Sequence, residues 1–148
     1  MATKLKVLVH GAGFAGQGHA TAFRYAGAEI VGMVGRTASV VKEVAEQMGI
    51  HYAGTDWQQA LQDCQPDIVS IGTPGGAHVE PIKQAIAKGC HVFCDKPLTE
   101  SGETSKELYE LAVAKGVKTA FASSFRYMPH VRHAKQLVAE GVIGEPLE

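Results

Sequence analysis

The chain has three cysteines, no long apolar run and no excess of one charge. Cys64, Cys90 and Cys94 lack the paired spacing of a disulfide framework, so we expect reduced thiols. No apolar run approaches the ~20 residues of a membrane span. Residues 1–4 carry no apolar signal segment, so we expect a cytoplasmic protein. The 14 basic and 15 acidic residues leave a net charge of -1, which creates no field that attracts nucleic acid.

No group of potential ligands has the spacing of a metal site. Cys90 and Cys94 fall in a strand-like run, where four residues separate them by about 13 Å and His91 points to the opposite face. His130 and His133 lie three apart on a predicted helix, but they lack a third ligand. We therefore predict small buried thiols and surface histidines.

Short apolar runs alternate with amphipathic segments throughout the 148 residues, which is one domain in size. This order predicts an α/β fold with a doubly wound parallel sheet of the Rossmann type, its strands apolar on both faces. Ligands of such sheets bind outside the carboxyl ends of the strands. The predicted strands are 6–10, 28–34, 68–71, 91–94 and 118–122, with a weaker one near 51–52. The predicted helices are 14–25, 39–48, 57–61, 78–88, 101–115 and 131–140.

The first strand runs directly into a glycine pattern, GAGFAG at 11–16. Gly11 permits the tight turn, Gly13 lets backbone approach a pyrophosphate, and Gly16 lets the helix pack against the strand. Phe14 and Ala15 lie in the first helical turn, whose free N–H groups attract an anion. The pattern predicts a dinucleotide cofactor, the alternative being a glycine-rich turn that binds nothing.

The residues after the second strand indicate which dinucleotide is bound. A cofactor with a free ribose 2'-hydroxyl would be met by Asp or Glu about 20 residues beyond the glycines, whereas this chain has Arg36 and Thr37 there. The Arg36 guanidinium can pair with a 2'-phosphate and Thr37 offers a hydroxyl. We therefore predict NADP in preference to NAD. The alternative is an exposed arginine followed by an ordinary helix cap.

Two further turns follow predicted strands. After the strand at 68–71, Thr73 and Pro74 are expected to line the ribose and nicotinamide, and His78 is expected to begin the next helix. After the strand at 91–94 come Asp95 and Lys96, at the predicted mouth of the crevice. An ammonium there can stabilise a developing alkoxide or transfer a proton, with Asp95 orienting it. Taken alone, this turn is also typical of a solvated surface loop.

Five motifs in this order resemble the glucose-fructose oxidoreductase and inositol 2-dehydrogenase family of NAD(P)-dependent sugar dehydrogenases. The resemblance implies that Lys96 lies beside the nicotinamide and the substrate hydroxyl, and that Asp95 replaces the usual Glu. It also implies that Arg126 lies near the nicotinamide or the substrate. The motifs are GAGFAG at 11–16, Thr73 and Pro74 with His78, DKPL at 95–98, FRYMP at 125–129 and GVIGEP at 141–146.

Members of that family continue into a second α/β domain, which supplies most of the substrate pocket, an Asp and His pair, and oligomer contacts. We therefore expect residues 1–122 to form the NAD(P)-binding Rossmann domain and 123–148 a connecting helix and the start of a missing domain. The resemblance implies a homo-oligomeric parent that transfers hydride to or from a sugar, a polyol or a related hydroxy compound. The isolated chain is expected to be nearly inactive, because a half-built pocket cannot position two reactants.

Two other functions fit part of the sequence. One is a non-catalytic NADP(H) sensor or regulatory module, which would bind the cofactor and carry out no chemistry. The other is an S-adenosylmethionine methyltransferase, whose first turn is similar. The absence of an acid after the second strand and the turn at Asp95 and Lys96 argue against the methyltransferase.

Overall fold

The computed structural model describes residues 3–145 and contains one parallel sheet of six strands. Their order is β3-β2-β1-β4-β5-β6, in which the chain reverses its direction of winding between β1 and β4. This topology confirms the predicted doubly wound Rossmann fold and opens a crevice between the turns after β1 and β4. The strands are β1 (Lys6–His10), β2 (Glu29–Val34), β3 (Tyr52–Gly54), β4 (Ile68–Ile71), β5 (His91–Cys94) and β6 (Thr119–Phe121).

Six α-helices follow the predicted order, and five of the turns that end them contain a glycine with positive φ. Two short 3₁₀ turns, Gly75–Ala77 and Ser124–Tyr127, were not predicted because three or four residues carry no helical periodicity. The helices are α1 (Phe14–Tyr25), α2 (Ala38–Gln47), α3 (Trp57–Cys64), α4 (Val79–Ala87), α5 (Gly102–Lys115) and α6 (Pro129–Ala139). Helix α3 is longer than predicted because Gln62, Asp63 and Cys64 extend it beyond Leu61, and Gln65 ends it in a left-handed conformation.

The core has two layers, one on each face of the sheet. Alternate residues of β1 supply both, since Val7 and Val9 belong to one cluster and Leu8 to the other. All three side chains are fully buried. The central strands are therefore covered on both faces, which fixes the positions of the turns at their carboxyl ends.

The prediction that every strand is covered on both faces is wrong for β6. Thr119, Ala120 and Phe121 are all exposed, because β6 lies at the edge of the sheet beside β5. Helix α6 also buries no residue. Of the GVIGEP motif, residues 141–145 are described. Its Pro146 lies outside the described residues, as do Leu147 and Glu148.

The predicted roles of the cysteines and histidines agree with the structure. Cys90 and Cys94 are buried free thiols, whereas His130 and His133 are exposed on α6. Within residues 3–145, no three His, Cys, Asp or Glu side chains lie close enough together to hold a metal ion. No helix in the same range is both long enough and apolar enough to cross a bilayer.

Candidate cofactor site

The glycine turn after β1 is packed so tightly that two of its positions exclude any side chain. Gly11 has φ +118°, and a Cβ there would lie 2.6 Å from the Gly72 carbonyl oxygen. A Cβ on Gly16 would overlap the Gly11 carbonyl oxygen. These two glycines therefore bring the start of α1 against the turns after β1 and β4, whereas the sequence predicted only a tight turn and a helix packed against the strand.

Gly13 has the opposite environment, because a Cβ there would meet no atom within 4 Å. It is the N-cap of α1, and no side chain caps this end of the helix. Phe14, the first helical residue, is 96% exposed, and the first turn contains no acidic residue. The free amides of this turn thus face open space, which fits the pyrophosphate of a dinucleotide.

A cleft of about 600 Å³ opens beside this turn, at the carboxyl ends of β1, β2, β3 and β4. It brings together six of the predicted cofactor residues: Gly11, Gly13, Arg36, Thr37, Thr73 and Pro74. Phe14, Ala15 and Gly16 adjoin it as the first turn of α1. His78, Asp95, Lys96 and Arg126 are not among the lining residues.

Arg36 and Thr37 lie on the rim of the cleft and both are exposed. Thr37 is the N-cap of α2, but its hydroxyl makes no capping hydrogen bond. Among residues 3–145, Arg36 forms no salt bridge. The guanidinium and the hydroxyl are therefore available to an anion, as a 2'-phosphate would require.

The turn carrying Lys96 lies beside the cleft rather than in its lining. The Asp95 amide donates to the Ile71 carbonyl at 2.8 Å, which joins this turn to the end of β4. The Lys96 side chain is exposed, and within the described part of the chain its ammonium forms no salt bridge. The Lys96–Pro97 peptide is cis.

Asp95 acts on Lys96 differently from what we expected. Its Oδ1 accepts a hydrogen bond of 2.8 Å from the Lys96 backbone amide, instead of pairing with the ammonium. A carboxylate bonded to the next residue's amide shapes the turn itself. In this structure Asp95 therefore orients Lys96 through its backbone.

His78 begins α4 as predicted, but its side chain is fully buried. Its Nε2 lies 2.7 Å from the Thr73 carbonyl oxygen and its Nδ1 lies 3.0 Å from the Pro97 carbonyl oxygen. The ring therefore contacts the turn that lines the cleft and the turn that carries Lys96. Any contribution it makes to cofactor binding passes through those backbones.

Arg126 lies in the 3₁₀ turn Ser124–Tyr127. This turn follows β6 at the carboxyl ends of the strands, where the other site turns also lie. The side chain is exposed and, within residues 3–145, forms no salt bridge. The predicted role near the nicotinamide or substrate remains a prediction.

The sequence reasoning missed His10 and Thr55, which also line the cleft. His10 is the last residue of β1 and stacks on Trp57, with ring centroids 4.7 Å apart. Its Nδ1 and the Thr73 Oγ1 are buried and have no hydrogen-bond partner among the described residues. His10 ends β1 and Thr55 directly follows β3. A position at or just after the carboxyl end of a strand is the sequence signal that could have identified them.

Burial, together with the nearby His78, lowers the pKa of His10 from 6.5 to about 4. In the unfolded chain this imidazole takes up a proton near pH 6.5, so the unfolded state binds more protons between pH 4 and 6.5. The stabilising effect of a neutral His10 is thus complete above pH 6.5 and is lost progressively as the pH falls from 6.5 to 4. The difference amounts to about 3 kcal/mol.

We therefore expect His10→Asn to flatten the acid side of the stability profile. Urea unfolding between pH 7 and 4 measures this, with the exposed His133→Asn as the matched control. The lost stacking on Trp57 is expected to lower the stability of His10→Asn at every pH. The decisive quantity is therefore the slope of the free energy of unfolding against pH. Equal slopes in wild type and His10→Asn would contradict the prediction.

The GFO/IDH/MocA family, described as "Oxidoreductase family, NAD-binding Rossmann fold", matches residues 5–123. The chain belongs to this family. The match confirms the resemblance drawn from the five motifs, and it places GAGFAG, Thr73, Pro74, His78, Asp95 and Lys96 inside the family's NAD-binding Rossmann region. The FRYMP and GVIGEP segments lie beyond the matched residues.

Relatives in the GFO/IDH/MocA family include sugar dehydrogenases. Levoglucosan dehydrogenase of Pseudarthrobacter phenanthrenivorans is 34% identical over 71% of this chain and 27% of its own length. D-xylose 1-dehydrogenase (NADP(+)) 2 of Haloferax volcanii is 31% identical over 75% of this chain and 34% of its own length. The crystal structure of scyllo-inositol dehydrogenase from Lactobacillus casei, with bound NAD(H) and scyllo-inositol, superimposes with a TM-score of 0.88. It is 26% identical, over 97% of this chain and 43% of that one.

The chain thus spans between about a quarter and two fifths of the length of these relatives. It corresponds to the NAD-binding Rossmann part of an oxidoreductase of the GFO/IDH/MocA family. The rest of the length of these relatives lies outside this correspondence.

Proposed function

We propose that this chain binds the nicotinamide cofactor of an oxidoreductase that transfers hydride to or from a sugar, a polyol or a related hydroxy compound. Residues 1–122 form the cofactor-binding unit, and 123–148 lead towards the substrate-binding part, in a homo-oligomeric protein of the cytoplasm. The observation that carries the proposal is the uncapped end of α1 at Gly13, which faces a cleft that also receives Arg36 and Thr73.

The backbone amides of the first α1 turn hold the pyrophosphate, since they have no internal partner and lie at the positive end of the helix dipole. Thr73 and Pro74 lie on the far wall of the cleft, towards β5, where the nicotinamide half fits. When bound, the nicotinamide accepts or donates the hydride. The remaining steps fall to the protein side chains.

Lys96 stabilises the oxygen of the reacting carbinol. Its turn is held next to the Thr73 turn by the Asp95 amide, which bonds to the end of β4 at Ile71. In reduction the Lys96 ammonium donates a hydrogen bond to the developing alkoxide and then gives it a proton; in oxidation the neutral Lys96 amine takes the proton of the alcohol and becomes that ammonium. Arg126 approaches the same edge of the sheet from the turn after β6. These roles follow the family resemblance residue by residue.

We further propose that NADP is preferred over NAD. Arg36 is free to pair with a 2'-phosphate, and the Thr37 hydroxyl makes no capping bond that competes with this role. No acidic residue stands among those that line the cleft, where a carboxylate would accept the ribose hydroxyls of NAD. Binding to NAD by the same cleft is weaker but uses the same pyrophosphate contacts.

Fluorescence titration of the chain with NADPH and with NADH tests this preference. We expect tighter binding of NADPH, and Arg36→Ala is expected to weaken NADPH binding by about ten- to a hundredfold because a charge-assisted pair is lost. NADH binding by the same variant is expected to change by less than about threefold. Arg132→Ala, at an exposed arginine of α6, serves as the control.

Tighter binding of NADH than of NADPH would overturn the preference for NADP. An equal loss of both cofactors in Arg36→Ala would remove Arg36 from 2'-phosphate recognition. Binding of neither cofactor by the folded wild-type chain would overturn the cofactor site itself.

A further inference from the structure

His78 is the largest buried polar side chain in the described residues, and it lies between the two turns that the proposed function uses. Its ring is 0% exposed. Nε2 reaches the Thr73 carbonyl oxygen at 2.7 Å, while Nδ1 reaches the carbonyl oxygens of Pro97 at 3.0 Å and Leu98 at 3.3 Å. Carbonyl oxygens only accept hydrogen bonds, so each contact is a hydrogen bond when the ring nitrogen that makes it carries a proton: a neutral imidazole donates to one turn, and an imidazolium donates to both.

The two turns have few other connections. Strands β4 and β5 pair as far as Ile71 and Cys94, and the Asp95 amide makes the last backbone bond between them. Beyond this point, within residues 3–145, the side-chain hydrogen bonds that join the two turns all come from His78. Pro97 also packs against Gly75, where an added Cβ would lie 3.1 Å from the proline ring.

A buried ring with one nitrogen on each turn sets the distance between them. The Thr73 turn is a wall of the cofactor cleft, and the Pro97 turn carries Lys96 one residue earlier. Since Lys96 itself is exposed and forms no salt bridge in the described part of the chain, the placement of its ammonium depends on its backbone. The ring has no exposed surface with which to contact a substrate.

We propose that His78 is the positioning residue of the site: its buried imidazole clamps the cofactor turn at Thr73 to the turn at Pro97 and so holds Lys96 at a fixed distance from the nicotinamide. The inference rests on the proposed function for the role of Lys96. The clamp itself rests on the geometry of His78 alone.

Two nearly isosteric substitutions cut one arm of the clamp each. The amide nitrogen of asparagine occupies the place of Nδ1, so His78→Asn keeps the bonds to Pro97 and Leu98 and loses the bond to Thr73. The amide nitrogen of glutamine reaches the place of Nε2, so His78→Gln keeps the Thr73 bond and loses the others. His78→Leu removes both arms and keeps the apolar volume. His133→Gln, on exposed α6, is the control.

Amide hydrogen exchange of the chain measures each turn separately. In His78→Asn we expect exchange at residues 73–77 to become about five- to tenfold faster, as a lost hydrogen bond implies. In His78→Gln we expect the same change at 95–99 instead, and in His78→Leu at both turns. The same pattern in the Asn and Gln variants, or no change in either, would overturn the clamp. If His78→Leu fails to fold, the Asn and Gln variants decide the result.

The second readout is the NMR signal of Lys96 after reductive ¹³C-dimethylation, which keeps its charge. The signal is assigned by its absence in Lys96→Arg. With saturating NADH we expect it to shift in wild type and His133→Gln, and to shift much less in His78→Asn and His78→Gln, where NADH still binds, because each of these variants cuts the link between the two turns. An equal shift in His78→Gln and wild type would overturn the positioning role.

The two readouts separate failure of this inference from failure of the proposed function. If NADH saturates the wild-type chain and the Lys96 signal does not move, Lys96 is not beside the nicotinamide. That result overturns the proposed role of Lys96 and the positioning role with it. Turn-specific exchange would then identify His78 as a purely structural clamp.

Discussion

Gly16→Ala is expected to lower the free energy of unfolding by at least about 3 kcal/mol, or to prevent folding altogether. The new methyl group would overlap the Gly11 carbonyl oxygen, which is backbone and cannot rotate away. Relief requires α1 to move off β1, and this movement opens the contact between Gly16 and Gly72 as well. Urea unfolding followed by circular dichroism measures the effect.

Two neighbouring glycines provide matched controls for this substitution. Gly18 lies in the same helix with no atom near an added Cβ, so Gly18→Ala is expected to stabilise the chain by up to about 1 kcal/mol through helix propensity. Gly13→Ala is expected to leave stability within about 1 kcal/mol, because its Cβ also enters open space. Equal stabilities of Gly16→Ala and Gly18→Ala would contradict the close packing of α1 on the turns.

The largest kinetic effect is expected from Lys96→Met in the active oxidoreductase of the proposed function. Loss of the ammonium removes the group that we propose stabilises the alkoxide, so kcat is expected to fall by about 10²- to 10⁴-fold. Affinity for the cofactor is expected to change little, because Lys96 does not line the cleft. Steady-state kinetics with a panel of sugars and polyols, together with NADPH titration, separate the two quantities.

Lys83→Met is the control for the Lys96 substitution. Lys83 is exposed on α4. Its substitution by Met removes the same charge outside the turns that form the site. We expect its kcat to match that of wild type. Unchanged kcat in Lys96→Met would exclude Lys96 from the chemistry, and an equal fall in both variants would indicate an effect of net charge alone.

Much of the fold could be predicted because the spacing of apolar residues and the positions of turn-forming residues agree along the chain. The apolar run at β1 and the glycine pattern after it define strand, turn and helix within 20 residues, and β1, α1, β4 and β5 have the predicted bounds. The prediction was wrong at β6, whose residues 119–121 are apolar enough for a buried strand but lie at an exposed edge. Burial of an edge strand depends on what packs beside it, which its own sequence does not encode.

The candidate site divides in a similar way. The backbone geometry of the turn could be predicted from the sequence, because only glycine fits at positions 11 and 16. Side-chain partners could not be predicted, because they depend on three-dimensional neighbours. Asp95 bonds to the Lys96 amide instead of the ammonium, and His78 bonds to carbonyls 5, 19 and 20 residues away.

The construction of the anion-binding turn determines what genetic evidence can reveal about it. The groups that face the open space at Gly13 are main-chain amides, and no substitution to a smaller residue deletes them. Substitutions that trim a side chain would therefore leave the centre of the site intact. There, only variants that enlarge a residue can abolish binding.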